Sequence, residues 1–358
     1  MGHRGCRGWP SVSRGAYIAV AVVVVAAALV AAVLVSWGGG GTQLSQPGQA
    51  STAAEQHCAA VETVRIGTLR GGVSTLDVIE TLGLDEKHCL QIETLYFAKT
   101  LDLANALARG DIDVAVIPAE FVAKLREQGT DAVIIAVDFY QNQAIVVRPG
   151  VEAETIENLE GARLGVFKPT GTYAIFRAYM KAIYGIDVEE YFTLVDAPPP
   201  QLVQAFERGD VDAVVLWEPL VSKLVVEYGG RILVSYEQLW REWPGHVGDQ
   251  GVMIVYAARG SWARENPELV EALQAARSEA AHAWNNNMSL AVDILAKGYG
   301  LSREAAEYCW QRLKMEESEA LSKPMVENIL AVWELARRGG YISSSPDQLA
   351  EGAFWQAG

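Results

Sequence analysis

Lys168-Pro169-Thr170-Gly171-Thr172 is the stretch of this chain best equipped to grip a small polar molecule. Two hydroxyls and a glycine stand directly before a run that reads as a helix. Side-chain oxygens and the free N–H groups of the first turn would then point the same way. Such a nest suits a carboxylate, a sulfonate or a similar head group. It equally suits plain capping of the helix, and the two roles are compatible. Arg70-Gly71-Gly72-Val73-Ser74 offers a cation, two glycines and a capping hydroxyl. Pro118-Ala119-Glu120 and Trp217-Glu218-Pro219 add two acids and an indole able to cover a ring or an apolar tail. The bland alternatives are a solvated Arg70 and a Trp217 that is simply core. Glu120 and Glu218 suit an amine or a ring N–H donor, which favours a zwitterion or a nitrogen heterocycle over a small inorganic anion. Asn142 and Gln250 complete the candidate ligand contacts.

Residue types that would do covalent chemistry are present but not grouped. His3, His57, His88, His246 and His282 are scattered, and Cys6, Cys58, Cys89 and Cys309 form no Cys-x-x-Cys pair. There is no G-x-G-x-x-G and no P-loop. The reading is therefore of a binder and not an enzyme, with neither metal nor cofactor expected.

The elements that must position these loops are written twice. Residues 106–125 (ALARGDIDVAVIPAEFVAKL) recur ninety-nine positions later as residues 205–224 (AFERGDVDAVVLWEPLVSKL), with nine of twenty aligned positions identical. In each copy a helix ends at a glycine, Gly110 or Gly209, which can take the left-handed closing conformation. A continuous apolar run follows, as a strand buried on both faces requires, and a second helix starts after it. Helix–turn–strand–helix is also ordinary α/β grammar, but the identities continue into the second helix. Two similar α/β lobes, and hence a cleft, are the expectation. Strands are expected near 64–69, 91–96, 112–117, 132–137, 143–148, 162–167, 192–195, 211–216, 232–235 and 251–257, alternating with helices. That alternation gives parallel, doubly wound sheets. From residue 266 the chain reads as almost wholly helical to 339.

The formal net charge is −15, and the three charges in residues 1–15 are all Arg, so the remainder is more acidic still. Such a surface repels nucleic acid. Residues 16–35 carry no charge and are rich in Val and Ala, long enough at 1.5 Å per residue to cross about 30 Å of hydrocarbon. The basic flank comes first, which keeps residues 1–15 in the cytoplasm and places the body outside. A cleavable signal peptide is the competing reading of this segment. The expected organisation is a cytoplasmic segment 1–15, a transmembrane anchor 16–37, and a flexible linker 38–62 ahead of the exported body.

The paired Gly-Asp-x-Asp units (110–113 and 209–212), Trp217-Glu218-Pro219 after the second, and Asn266-Pro267-Glu268-Leu269-Val270 together resemble the substrate-binding proteins of ABC importers. The branch is the nitrate/sulfonate/taurine one, which includes binders of thiamine-pyrimidine precursors. The likeness covers residues 64–354. It departs near Ala98-Lys99-Thr100, where that family commonly has a glycine. The resemblance implies a type II periplasmic-binding-protein fold: lobe 1 from 64–138 plus 246–358, lobe 2 from 141–235, joined by two hinge crossings near 139–142 and 243–248. It also implies a small-molecule solute in the cleft, a permease with its ATPase as partners, and a monomer in the cell membrane with its body outside the cytoplasm. An enzyme on the same fold, of the pyrimidine-precursor synthase or dehydratase type, is the alternative. The sensor-ectodomain reading lacks a second membrane segment. In the implied fold the first two strands are adjacent and parallel. Cys58 and Cys89 then fall at the same edge and an exported location lets them pair, leaving Cys309 as a buried thiol.

Overall fold

The computed structural model describes residues 58 and 61–356 and has ten strands among them. They are β1 (Glu62–Leu69), β2 (Leu90–Phe97), β3 (Val114–Pro118), β4 (Ala132–Tyr140), β5 (Ala144–Val147), β6 (Arg163–Val166), β7 (Thr193–Asp196), β8 (Ala213–Leu216), β9 (Arg231–Ser235) and β10 (Val252–Arg259). The central ones such as β3 and β8 are apolar runs buried on both faces, and the edge strands β2 and β7 are not. The segments 1–15 and 16–37, and nearly all of 38–62, lie outside the described residues. Among the described residues no helix is long and apolar enough to cross a membrane.

The strands build two five-stranded sheets, ordered β2-β1-β3-β10-β4 and β7-β6-β8-β5-β9. The orders are the same when β1–β4 are matched to β6–β9 and β10 to β5, so the duplication extends to whole lobes. Neither sheet is purely parallel: β10 runs against β3 and β4, and β5 against β8 and β9. The path explains it. The chain leaves the first sheet at the carboxyl end of β4 and enters the second beside the carboxyl end of β8, where Ala144 pairs with Leu216. A strand that begins at that rim can only run away from it. The return into β10 repeats the move, with Ile254 opposite Pro118.

The duplicated Gly-Asp-x-Asp units sit at the opposite, amino-terminal edge of the sheets. Gly110 and Gly209 have φ of 80° and 78°, so a side chain there would be strained. The second aspartate of each unit clamps the first strand of its lobe: Asp113 takes the backbone N–H and guanidinium of Arg65, and Asp212 those of Arg163. These carboxylates are pulled below their usual range by the guanidiniums against the opposing effect of burial. The Gly-Asp-x-Asp part of the repeat therefore carries structure, at the edge away from the rim where a ligand would sit.

The two crossings lie side by side, with Gln141 N–H donating to Gly251 O at 2.8 Å. Gln141, Asn142 and Gln143 are all buried. The last third of the chain packs against elements on both sheets. Helix Arg303–Arg312 packs on helix Leu220–Tyr228 of the second lobe, with Ser302 N–H on Glu227 and Lys223 on Gly300 O. Helix Lys323–Arg338 lies against both Ala119–Glu127 and Gly171–Tyr179. Each of the two apolar clusters accordingly contains residues of both lobes. Cys58 and Cys89 form a disulfide with Cα atoms 5.4 Å apart. Cys309 is a buried free thiol.

Candidate functional site

At the carboxyl rims of the two sheets the lobes enclose a cavity that leaves about 40 Å³ for the centres of water-sized molecules. One water needs roughly 10–15 Å³ by that measure, so the space suits a solute of few atoms. The polar lining is five hydroxyl residues, Thr68, Ser74 and Thr100 from the first lobe and Thr170 and Thr172 from the second, with Glu218 beside them. The apolar lining includes Val116, Phe139, Met253, Ile254 and Trp217.

The hydroxyls stand at helix starts because Ser and Thr cap helices. Ser74 caps Thr75–Leu82 in a reciprocal box: its Oγ accepts from Leu76 N–H at 3.3 Å, while its own N–H donates to Asp77 Oδ2 at 2.8 Å. Thr170 caps Gly171–Tyr179, accepting from Tyr173 N–H at 3.4 Å and donating to Phe167 O at 2.7 Å. Thr100 opens Thr100–Arg109. Its Oγ1 is buried and has no hydrogen-bond partner. Three helix starts thus stand around one small space from both lobes. The N–H groups that open Thr75–Leu82 already donate to Asp138, Ser74 Oγ and Ser74 O, which leaves the starts at Thr100 and Gly171 for oxygen acceptors.

Gly72, Ser74, Pro118, Thr170, Gly171, Thr172, Trp217 and Glu218 come together on this cavity. The other candidates are placed around it. Arg70 and Gly71 line a neighbouring groove of the first lobe, where Arg70 lies over the Tyr96 ring. Lys168 borders a groove on another side and stacks over Tyr173. Asn142 and Gln250 line a polar cavity at the crossings; Asn142 Oδ1 accepts the Glu218 N–H at 3.2 Å.

The two acids do not offer themselves to a ligand in the way their types suggest. Glu218 is buried, and both of its oxygens are occupied: Oε1 by Arg312 Nε at 2.6 Å and Oε2 by Ser222 N–H at 3.1 Å. Burial pushes its carboxyl up against the pull of Arg312. Glu120 is 2% exposed and packs behind Gly171. A Cβ at Gly171 would lie 2.0 Å from Glu120 Oε1 and 2.8 Å from Pro118 Cβ, so the lobes meet at a distance only glycine allows. Burial raises the Glu120 carboxyl to about 8. Neither acid presents a free carboxylate to the cavity, which removes the basis for expecting a zwitterion or a nitrogen heterocycle.

Thr68, Thr100 and Arg312 are the residues that the sequence reading missed. Thr100 carries a signal in the sequence, since it follows β2 at the same rim, in the stretch 98–100 near which the family commonly has a glycine. None existed for Arg312, which lies within the C-terminal helical run. Among the described residues no group of three or more His, Cys, Asp or Glu could hold a metal ion.

The fold is that of the periplasmic aliphatic sulphonate binding protein SsuA from Escherichia coli. That match has a TM-score of 0.67 at 19% identity, over 84% of this chain and 94% of the other. In sequence, the chain is 28% identical over 181 residues to the taurine-binding periplasmic protein of Escherichia coli (strain K12), covering 49% of this chain and 52% of that one. It is 28% identical over 167 residues to the nitrate/nitrite binding protein NrtA of Synechococcus elongatus, covering 46% of this chain and 36% of that one. The match thus spans about half or less of the length of these curated relatives, all of them binding proteins by name. Residues 59–296 match the model of the NMT1-like family, and the chain belongs to that family.

Proposed function

We propose that this chain is the extracytoplasmic solute-binding component of an ABC importer, taking a small polar solute into the interlobe cavity and presenting it to a permease and its ATPase. The observation that carries the reading is the cavity itself. Its walls come from both lobes, it lies at the carboxyl ends of both sheets, and it gathers hydroxyls at three helix starts. Names of relatives that bind taurine, nitrate or nitrite, and aliphatic sulphonates support the same class of solute. Lobe 1 (64–138 and 246–358) and lobe 2 (141–235) would move about the crossings, the cleft closing on the solute. Segment 16–37 would hold the protein at the membrane with residues 1–15 in the cytoplasm. Its acidic body would act as a monomer. A thermal-shift panel of sulfonates, carboxylates, inorganic anions and pyrimidines tests the reading. At least one solute should raise the melting temperature in proportion to its concentration, and silence across the panel contradicts it. N-terminal sequencing of membrane-extracted protein should find residues upstream of Ala16; a mature start after Trp37 removes the anchor.

A further inference from the structure

We propose that Thr100 is a solute-contacting residue, and that its cavity takes a compact solute presenting oxygen acceptors and carrying no ammonium group; the proposal rests on the solute-binding reading above. The first observation is the Thr100 hydroxyl. Thr100 is among the residues around the cavity and is wholly buried, and its Oγ1 has no hydrogen-bond partner. A buried hydroxyl left unpaired is costly, whereas valine has the same shape and no such cost. No protein group satisfies the hydroxyl, and a solute group drawn against it from the cavity would. Thr100 is the first residue of a ten-residue helix, whose free first-turn N–H groups set a positive potential there. The matching group on the solute is an acceptor.

The second observation is the set of carboxylates an ammonium would need. Glu218 is the one acid on the cavity wall, and Arg312 and Ser222 hold both of its oxygens. Asp77 accepts from Ser74 N–H and from Tyr299 OH, and it faces the adjoining groove. Glu120 lies behind Gly171 and does not reach the wall. An ammonium would be stripped of water against Phe139, Met253 and Ile254 with no free counter-charge on the wall; Asp138, whose Oδ2 has no partner, sits behind Thr75 and is not among the lining residues. Negative charge, by contrast, meets hydroxyls and helix N–H groups from both lobes.

Calorimetry on the full chain with sodium ethanesulfonate and with 2-aminoethanesulfonate tests both halves, because the two share a head group and a carbon chain. The parent should bind ethanesulfonate at least about tenfold more tightly. Thr100→Val should weaken ethanesulfonate about tenfold or more, Thr100→Ser should stay within about threefold, and the unliganded melting temperature of Thr100→Val should be unchanged or higher. Equal affinity for the two sulfonates overturns the assignment of solute class. So does a parent that ignores both sulfonates yet binds another member of the solute panel, an outcome that leaves the binding-protein reading standing. Thr100→Val binding as tightly as the parent overturns the contact. If nothing in the panel binds the parent, the binding-protein reading fails and this proposal fails with it.

Discussion

Closing the cleft should take up a proton, and Glu120 is the group that carries it. It stands in the first turn of Ala119–Glu127, buried against Gly171 of the opposite lobe. The titratable groups that face it are Tyr179, Tyr236 and Tyr341, and no cation is among them. Burial alone lifts the carboxyl from 4.5 to about 8. An opening of the cleft that withdrew Gly171 would return the carboxyl to water and towards its ordinary value. Between those two values the open form is ionised and the closed form protonated. Closure is therefore strongest below pH 4.5, weakens as the pH rises, and levels off above about 8. At pH 7 the penalty is about 3 kcal/mol, roughly a hundredfold in affinity. Glu120→Gln keeps the shape and removes the titration. It should bind roughly a hundredfold more tightly than the parent at neutral pH, with an affinity flat across the window. Calorimetry in buffers of different ionisation enthalpy counts the protons: about one taken up by the parent near neutral pH and none by the variant. A parent whose affinity does not move with pH, or a Glu120→Gln no tighter than the parent, refutes the reasoning.

Gly171→Ala places a methyl 2.0 Å from Glu120 Oε1 and 2.8 Å from the Pro118 ring. It should weaken solute binding by about 1–3 kcal/mol in calorimetry while leaving the melting temperature of an open, unliganded protein nearly unchanged. Arg312→Met removes the partner of a fully buried carboxylate. Urea unfolding should show a loss of about 3 kcal/mol, largely regained in the double variant with Glu218→Gln. Reducing Cys58–Cys89, which are 31 residues apart, should cost about 3–4 kcal/mol by the chain-entropy relation. The urea midpoint with and without reductant measures it.

Much of the fold was legible because doubly buried strands announce themselves. Runs such as Val114–Pro118 and Ala213–Leu216 have no polar face to confuse the period. Strand direction was not legible from composition. The reversal of β5 and β10 follows from where the chain crosses between sheets, a property of the path. The repeat was visible, but its purpose was not, because Arg65 and Arg163 lie 48 and 49 residues from the aspartates they bind. Ser74, Thr170 and Thr172 were found through helix-start chemistry, which is local. Glu218 was read as free because its partner stands 94 residues further on. The unpartnered Thr100 hydroxyl is not legible in sequence, because being unpartnered is a fact about everything around a hydroxyl and no window of sequence contains it.

The central claim is that solute is held between the lobes, against Trp217 and the Thr170–Thr172 helix start. Calorimetry of Trp217→Ala and Thr172→Ala, with whichever solute the thermal-shift panel selects, tests it most directly. Both side chains line the cavity and are nearly buried, and a hydrogen bond to a charged group is worth about 1.5–3 kcal/mol. Each folded variant should bind about tenfold or more weakly than the parent. If both fold and bind as tightly as the parent, the solute is held elsewhere and the assignment of the cleft is wrong.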